Sequence, residues 1–211
     1  MSSISDTDLT RLATLHATSL DGSLFARLGT RLLERYYRFV VDSEDEALLL
    51  ERDDSGGIRG AAVLSFAPLS LTGRFVGAHV VGFGIAMLRG MLTDGAVRGL
   101  LFHYARERLK GVHATIDDGT PEVLQIYIDP TRRGGGIGSK LMRRAERVAY
   151  ARGARSMAVR TEAEDNEPVL RFYDRGGYRR RGESVFCGVR YIGFVKDREN
   201  LAVDLEKTDQ E

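Results

Sequence analysis

The feature that most constrains this chain is a glycine cluster at residues 133–139, Arg-Gly-Gly-Gly-Ile-Gly-Ser. The preceding residues 123–128 are rich in β-branched and apolar side chains, which is typical of a buried strand. After the cluster, Leu141, Ala145 and Ala149 recur at helical spacing. The order strand, glycine turn, helix predicts an α/β fold. It also predicts an anion site, because glycines let backbone N–H groups approach a ligand and the start of a helix carries a positive dipole.

Two familiar phosphate-binding turns fit this spacing poorly. A P-loop needs Gly, four residues and then Gly-Lys-Ser/Thr, whereas Lys140 here follows Ser139. A Rossmann fingerprint, Gly-x-Gly-x-x-Gly, needs a third glycine at the position where, counting from Gly134, this chain has Ser139. The plain alternative is a flexible turn that binds nothing.

The motif Arg133-x-x-Gly136-x-Gly138 resembles the signature of the GNAT family of N-acetyltransferases, Arg/Gln-x-x-Gly-x-Gly/Ala between a strand and a helix. Downstream, Asn166 and the run Phe172-Tyr173-x-x-Gly176-Gly177-Tyr178 resemble the family's Asn, Tyr and Gly-Phe/Tyr segment. The resemblance covers residues 121–180 well, the start of the chain loosely and residues 73–110 not at all. It implies an α/β GNAT fold, in which helices flank a mixed central β-sheet and a helical insertion precedes the strand that binds coenzyme A.

The resemblance implies that acetyl-CoA is the co-substrate. Main-chain groups of Ile126 and Ile128 would pair with the pantetheine arm, and Asn166 at the end of the neighbouring strand would bond to it. The pyrophosphate would lie on the backbone amides of the glycine cluster, which are those of Arg133, Gly134, Gly135, Gly136, Ile137, Gly138 and Ser139.

Transfer of an acyl group from a thioester to an amine calls for a base at the amine and an acid at the departing thiolate. Tyr173 matches the family's tyrosine near the CoA sulfur, and its usual pKa of about 10 keeps it protonated at neutral pH. Glu122 stands eleven residues before Arg133, which is the spacing of a catalytic glutamate in some relatives. Ordered water is the alternative base, and Asp117, Asp118 and Gln125 compete with Glu122. The amide of Ile126 would meet the oxyanion.

Charge is distributed unevenly along the chain. Lys and Arg number 31 and Asp and Glu number 30, a net charge of +1. Residues 131–181 contain 14 of the basic and 6 of the acidic residues, a local charge of +8 that leaves −7 for the remainder. A confined cationic segment fits a small anion such as coenzyme A better than a nucleic acid, and no nucleic-acid partner is expected.

Hydrophobic periodicity gives the coarse organisation. Ser5 and Asp8 form a capping-box pattern before a helix over about residues 6–18, and a second helical stretch runs from Leu24 to Tyr36 across Gly29. Two strands are predicted after this helical stretch, and Pro68 is expected to end the pair. We predict one GNAT domain over residues 1–200, with one or two inserted helices at about 73–110 and a polar tail at 201–211.

Other features exclude several classes of protein. One cysteine, Cys187, cannot form an internal disulfide, and the first residues lack the basic and apolar regions of a signal peptide, so we expect a cytoplasmic protein with no membrane span. The four histidines have no metal-ligand spacing, so no metal is expected.

The favoured acceptor is a small-molecule amine such as an amino sugar. A protein N-terminus or lysine, and a non-catalytic acyl-CoA sensor, are the alternatives, and a homodimer is compatible with the sequence.

Overall fold

The computed structural model describes residues 4–109, 119–132, 134–186 and 188–198. Six strands form one central sheet, and they are β1 (Glu46–Arg52), β2 (Ile58–Ser65), β3 (Glu122–Ile128), β4 (Ser156–Glu162), β5 (Arg179–Phe186) and β6 (Val189–Asp197). Their order in the sheet is β1-β2-β3-β4-β6-β5. Neighbouring strands are antiparallel except β3 and β4, which are parallel, so the mixed central sheet expected from the sequence is confirmed.

Helices cover both faces of this sheet. They are α1 (Asp6–Ser19), α2 (Leu24–Leu28), α3 (Thr30–Asp42), α4 (Pro68–Ala78), α5 (Val80–Thr93), α6 (Gly95–Leu109), α7 (Ile137–Ala151) and α8 (Glu167–Arg175). One hydrophobic core lies between the sheet and helices α7 and α8, and a second lies between the sheet and helices α1, α3 and α4. The sheet therefore separates two layers of apolar side chains.

The capping box predicted at the start of α1 is present. The Ser5 hydroxyl accepts a hydrogen bond from the Asp8 N–H at 3.1 Å, and the Asp8 carboxylate accepts one from the Ser5 N–H at 3.0 Å. These bonds satisfy two donors that a helix start otherwise leaves unpaired. Leu9, Leu12 and Leu15 then lie in the core, as their spacing predicts.

Gly29 divides the second helical stretch, which the sequence predicted as continuous. Its φ of 103° is outside the range that a helix requires, and it ends α2 and precedes α3. Glycine adopts this conformation without the steric penalty that a Cβ brings. The chain turns there, and Tyr36 and Tyr37 of α3 pack into the core.

Three helices, α4 to α6, occupy the insertion, where the sequence predicted one or two. Pro68 begins α4 instead of closing the strands, because a first-turn proline gives up an N–H that has no helical partner. Within the described part of the chain, no single helix is long and apolar enough to cross a membrane. Helices α4 and α5 pass that test only as a pair, and they are bent by 94° at their junction.

Candidate functional site

Strands β3 and β4 separate shortly after they begin. Each has 7 residues, but they pair only at Glu122 with Ala158 and at Val123 with Val159. On its other edge, β3 pairs with β2 in a register that shifts between Val63 and Leu64, so that Leu124 is an extra residue in the ladder. A bulge of this kind bends a strand and increases its twist. The result is a gap between β3 and β4 beyond Val123.

Main-chain groups of β3 face this gap. The Asp129 N–H donates to the carbonyl oxygen of Arg59 on the β2 side at 2.8 Å. Because successive residues of an antiparallel strand direct their hydrogen-bonding groups to alternate sides, those of Ile126 and Ile128 point away from β2 and toward the gap. The Ile128 carbonyl also accepts a long bond of 3.4 Å from the Ser19 hydroxyl. Ile126 therefore presents the more open N–H and C=O.

The glycine cluster leads from the end of β3 into α7. Gly134 and Gly136 have φ values of 92° and 70°, which side chains other than glycine rarely adopt. Gly136 is the N-cap of α7, and no side chain caps this helix start. The N–H groups of Ile137, Gly138 and Ser139 thus have no partner within the helix and form a donor cluster suited to an anion. Arg133 of the predicted motif lies outside the described residues.

Two glycines bring α7 close to the sheet. A Cβ at Gly60 of β2 would lie 3.1 Å from the Ile137 side chain, and one at Gly138 would lie 3.3 Å from the side chain of Ile128. On α8, the Phe172 ring is 3.5 Å from the same Gly138 position. The start of α7 is therefore held beside both β3 and α8, at the wide end of the gap.

Tyr173 lies on α8 with its side chain in the core. Burial raises the pKa of its hydroxyl well above the usual value, so the group is protonated at neutral pH. Its ring contacts those of Tyr178 and Phe194 at centroid distances of 5.8 and 5.3 Å. The described residues provide no hydrogen-bond partner for its hydroxyl. Tyr173 also lines an open cavity of about 360 Å³ between α7 and α8, together with Ser139 and Met142.

Glu122 begins β3 and forms a partly buried ion pair that the sequence did not reveal. Arg160 of β4 donates from Nε to Oε1 at 2.6 Å and from Nη2 to Oε2 at 3.0 Å. Two-point binding of this kind holds both carboxylate oxygens in place. Glu122 lies where the two strands are still paired, and Arg160 is two residues beyond its partner Ala158 on the parallel strand. This offset of two residues on neighbouring parallel strands would have indicated the ion pair, but it can be used only once the strand pairing is known.

Asn166 follows β4 by four residues and is the N-cap of α8. Its amide nitrogen donates to the Thr161 hydroxyl at 2.7 Å and to the Glu162 carbonyl at 3.1 Å. These bonds orient the Asn166 side chain, and its own amide oxygen, Oδ1, can then accept a hydrogen bond from a ligand.

A buried polar cluster on the opposite face of the sheet was missed by the sequence reasoning. The Tyr37 hydroxyl lies 2.7 Å from His16 Nδ1, accepts a bond from the Tyr127 hydroxyl at 2.8 Å and reaches Gln125 Oε1 at 3.3 Å. The second ring nitrogen of His16 lies 3.2 Å from the Ser23 hydroxyl. Burial lowers the pKa of His16 to about 4, so the ring is neutral at pH 7. The cluster connects the bulged part of β3 to helices α1 and α3.

Asp117 and Asp118, which compete with Glu122 as the base in the sequence, lie outside the described residues. In the ranges that are described, no group of three or more His, Cys, Asp or Glu side chains is placed to hold a metal ion.

The splayed parallel strands and the uncapped helix start after a glycine turn define a class of protein. The chain belongs to the acetyltransferase (GNAT) family, whose model matches residues 28–178, more than half of its length. The resemblance noted in the sequence is therefore confirmed, and so is the fold expected from it.

Comparison with a curated protein gives a more distant relation. The chain is 34% identical over 101 residues to the mycothiol acetyltransferase of Clavibacter sepedonicus, in an alignment that covers 44% of this chain and 33% of that protein. The chain thus spans about a third of the length of this relative.

Solved structures agree on the fold. The ribosomal-protein-alanine N-acetyltransferase from Brucella melitensis is 14% identical with a TM-score of 0.55, and the match covers 92% of this chain and 96% of that one. The paia N-acetyltransferase from Thermoplasma acidophilum, solved in complex with coenzyme A, is 14% identical with a TM-score of 0.54 and coverages of 90% and 93%.

Proposed function

We propose that this chain is an acetyl-CoA-dependent N-acetyltransferase that acts on a primary amine by direct transfer in a ternary complex. The observation that carries the proposal is the gap that opens between β3 and β4 after Val123 and leads to the uncapped start of α7. The pantetheine arm contains amides, which match the open main-chain N–H and C=O of Ile126. The pyrophosphate matches the backbone donors of the glycine turn.

The departing thiolate needs a proton, and Tyr173 is the proposed donor. The amine nitrogen forms a bond to the thioester carbonyl carbon, and the carbon–sulfur bond then breaks. The Tyr173 hydroxyl gives its proton to the sulfur, so that coenzyme A leaves as a thiol, and the tyrosine regains a proton from solvent. The Ile126 N–H would stabilise the negative oxygen of the tetrahedral intermediate.

The acceptor must lose a proton before or during attack, and Glu122 is the proposed base. Its carboxylate would take this proton while Arg160 keeps it in position. Both of its oxygens already accept hydrogen bonds from Arg160 at 2.6 and 3.0 Å, so proton transfer to Glu122 competes with this ion pair. Ordered water is the alternative base, and replacement of Glu122 distinguishes the two.

A small-molecule amine is the proposed acceptor class. The inserted helix α5 packs against α2 and α3, which adds bulk beside the α1–α3 layer and favours an enclosed acceptor site. The relative from Clavibacter sepedonicus is named a mycothiol acetyltransferase, a name that agrees with a small-molecule acceptor. A protein N-terminus is the alternative, favoured by the name of the Brucella melitensis neighbour. A non-catalytic acyl-CoA sensor is the third reading.

A thiol-release assay with acetyl-CoA and pooled amines, amino sugars and peptides tests the activity. We expect release of free coenzyme A with at least one small-molecule pool. Turnover with peptides alone would establish the protein-directed alternative. Binding of acetyl-CoA without turnover in any pool would favour the sensor.

Replacement of the proposed acid gives a sharper test. Tyr173→Phe should leave the Kd for acetyl-CoA nearly unchanged and lower kcat by about 100-fold or more, because only proton donation is removed. Tyr150→Phe, which alters an exposed tyrosine of α7, is the matched control and should change neither. Equal losses of binding and rate in Tyr173→Phe, or no loss of either, would contradict the assignment.

Glu122→Gln addresses the base. If Glu122 accepts the proton, kcat should fall by about 100-fold or more in this variant while the Kd for acetyl-CoA stays nearly unchanged, because only the proton acceptor is removed. A rate close to that of the original chain would assign the base to ordered water and leave Glu122 as a partner of Arg160.

A further inference from the structure

Helix α5 carries an apolar stripe on its outer face. We define the α5 stripe as Val81, Ile85, Leu88 and Leu92, whose spacing places them on one side of a helix. Each is between 61% and 75% exposed. The opposite side of α5 holds Gly90, which is buried, and Phe83, which packs against the core. The helix is therefore apolar both toward the core and toward solvent.

This surface is large for a single uncovered helix. With the neighbouring Val80 and Met91, the α5 stripe brings together six apolar side chains that are 43–75% exposed, on the order of 500 Å² of apolar surface, which is comparable with the largest patch on a typical monomer. A standard interface covers about 800 Å² on each partner. The stripe and its surroundings thus supply most of one half of such an interface.

A membrane surface fits α5 less well. Helices that lie in a membrane interface have a strongly charged face opposite the apolar one. Arg89 is the only charged residue of α5, and the face opposite the stripe packs against the protein. Helix α4 cannot extend the apolar surface into a span, because its Leu71 and Phe75 are buried in the core.

We infer that the α5 stripe is the interface of a homodimer, in which the stripe of one copy packs against the same stripe of a second copy. A straight apolar row without charges is complementary to itself, as an interface across a two-fold axis requires. Gly84 adjoins the stripe, and a Cβ built there would meet no atom within 4 Å, so another helix can approach closely at this point. The dimer involves only the insertion and does not depend on the proposed activity.

Sedimentation velocity over sub-micromolar to high-micromolar protein tests this inference with the full chain. The expected species has twice the chain mass of 23.4 kDa. Leu88→Asp should weaken self-association by about 100-fold, because the dimer would bury an unpaired charge. Since Leu88 is exposed in the monomer, circular dichroism should be unchanged. Leu92→Lys provides a second variant at the other end of the stripe.

Val41→Asp is the matched control, because Val41 is an exposed apolar residue on α3 outside the stripe. It should dimerise like the original chain. A chain that stays monomeric at the highest concentration would overturn the inference, as would dimers that persist equally in both stripe variants. A monomer that floats with phosphatidylcholine–phosphatidylglycerol vesicles would also overturn it and assign the stripe to a membrane surface.

Discussion

His16 illustrates how a single buried side chain links two helices to the sheet that they cover. Its ring lies between Tyr37 and Ser23, and the Tyr37 hydroxyl in turn contacts Tyr127 and Gln125 on β3. A neutral imidazole can either donate or accept at each nitrogen, so it satisfies both neighbours in a site that excludes water. The sequence shows a histidine at helical spacing, but its partners come from α3 and β3.

We predict that His16 makes stability depend on pH. Its pKa is about 4 in the fold and about 6.5 in the unfolded chain, so between these values the unfolded state binds more protons. The stabilisation is present above pH 6.5 and is lost as pH falls toward 4. Between pH 7 and pH 5 the His16 contribution should fall by about 2 kcal/mol.

Urea unfolding at the two pH values measures this loss. His16→Gln should show a smaller decrease in the free energy of unfolding between pH 7 and pH 5 than the original chain. His79→Gln, at a half-buried histidine on the insertion, is the control and should keep the full decrease. The same decrease in all three proteins would show that His16 is not the titrating group.

Other residues of the site were predictable in unequal degree. Tyr173 and Asn166 could be picked out by their motif, because both lie in one contiguous segment, the start and body of α8. The ion pair of Glu122 with Arg160 was not predictable, since 38 residues separate the two and only the parallel pairing of their strands brings them together.

At the scale of elements, the contact between α7 and the sheet depends on a residue that the sequence did not single out. Gly60 of β2 lies under the first turns of α7, where a Cβ would be 3.0 Å from the Tyr127 carbonyl oxygen and 3.3 Å from the Leu141 side chain. A side chain there must displace either the helix or the strand. Gly60 therefore determines how near the proposed anion site can lie to β3.

Gly60→Ala tests this packing. We expect a loss of about 1–3 kcal/mol in stability from overpacking, together with weaker binding of acetyl-CoA as the start of α7 is displaced. Urea unfolding and isothermal titration measure the two effects. Gly73→Ala on α4, where a Cβ meets nothing within 4 Å, is the control and should lose neither. Unchanged stability and binding in Gly60→Ala would show that the contact relaxes without moving the helix.

Across the whole molecule, tertiary contacts redistribute the charges counted along the chain. Lys140 and Arg144, in the cationic segment, contact Glu51 of β1 at 3.6 and 3.9 Å. Glu51, which belongs to the part of the chain with a net charge of −7, thus lies close to two cations of the +8 segment. The local excess predicts an anionic ligand nearby, but it overstates the charge that such a ligand would meet.

A buried ion pair connects α7 to strand β6. Glu146 of α7 and Lys196 of β6 are 3.2 Å apart, each with 3% of its side chain exposed, and the Tyr178 hydroxyl donates to Glu146 Oε1 at 2.8 Å. Loss of one member leaves the other charged and buried, which is costly, whereas loss of both charges is tolerated better.

We therefore expect Lys196→Met to lower the free energy of unfolding by about 3–5 kcal/mol and Glu146→Gln/Lys196→Met to recover much of that loss. Urea unfolding provides both values. Arg190→Met, which breaks an exposed pair with Glu183, is the control and should shift the midpoint little. A double variant no more stable than Lys196→Met would show that the charges do not compensate each other.

The sequence by itself determined the order of strand, glycine turn and helix, the capped start of α1 and the motif from Arg133 to Tyr178, because these patterns depend on local backbone geometry and on periodicity. Tertiary structure decided the break at Gly29, the bulge at Leu124 that separates β3 from β4, the partners of Glu122 and His16, and the exposed face of α5. These features depend on which distant segments pack together, and a side chain acquires its partner or its exposure only when that packing is formed.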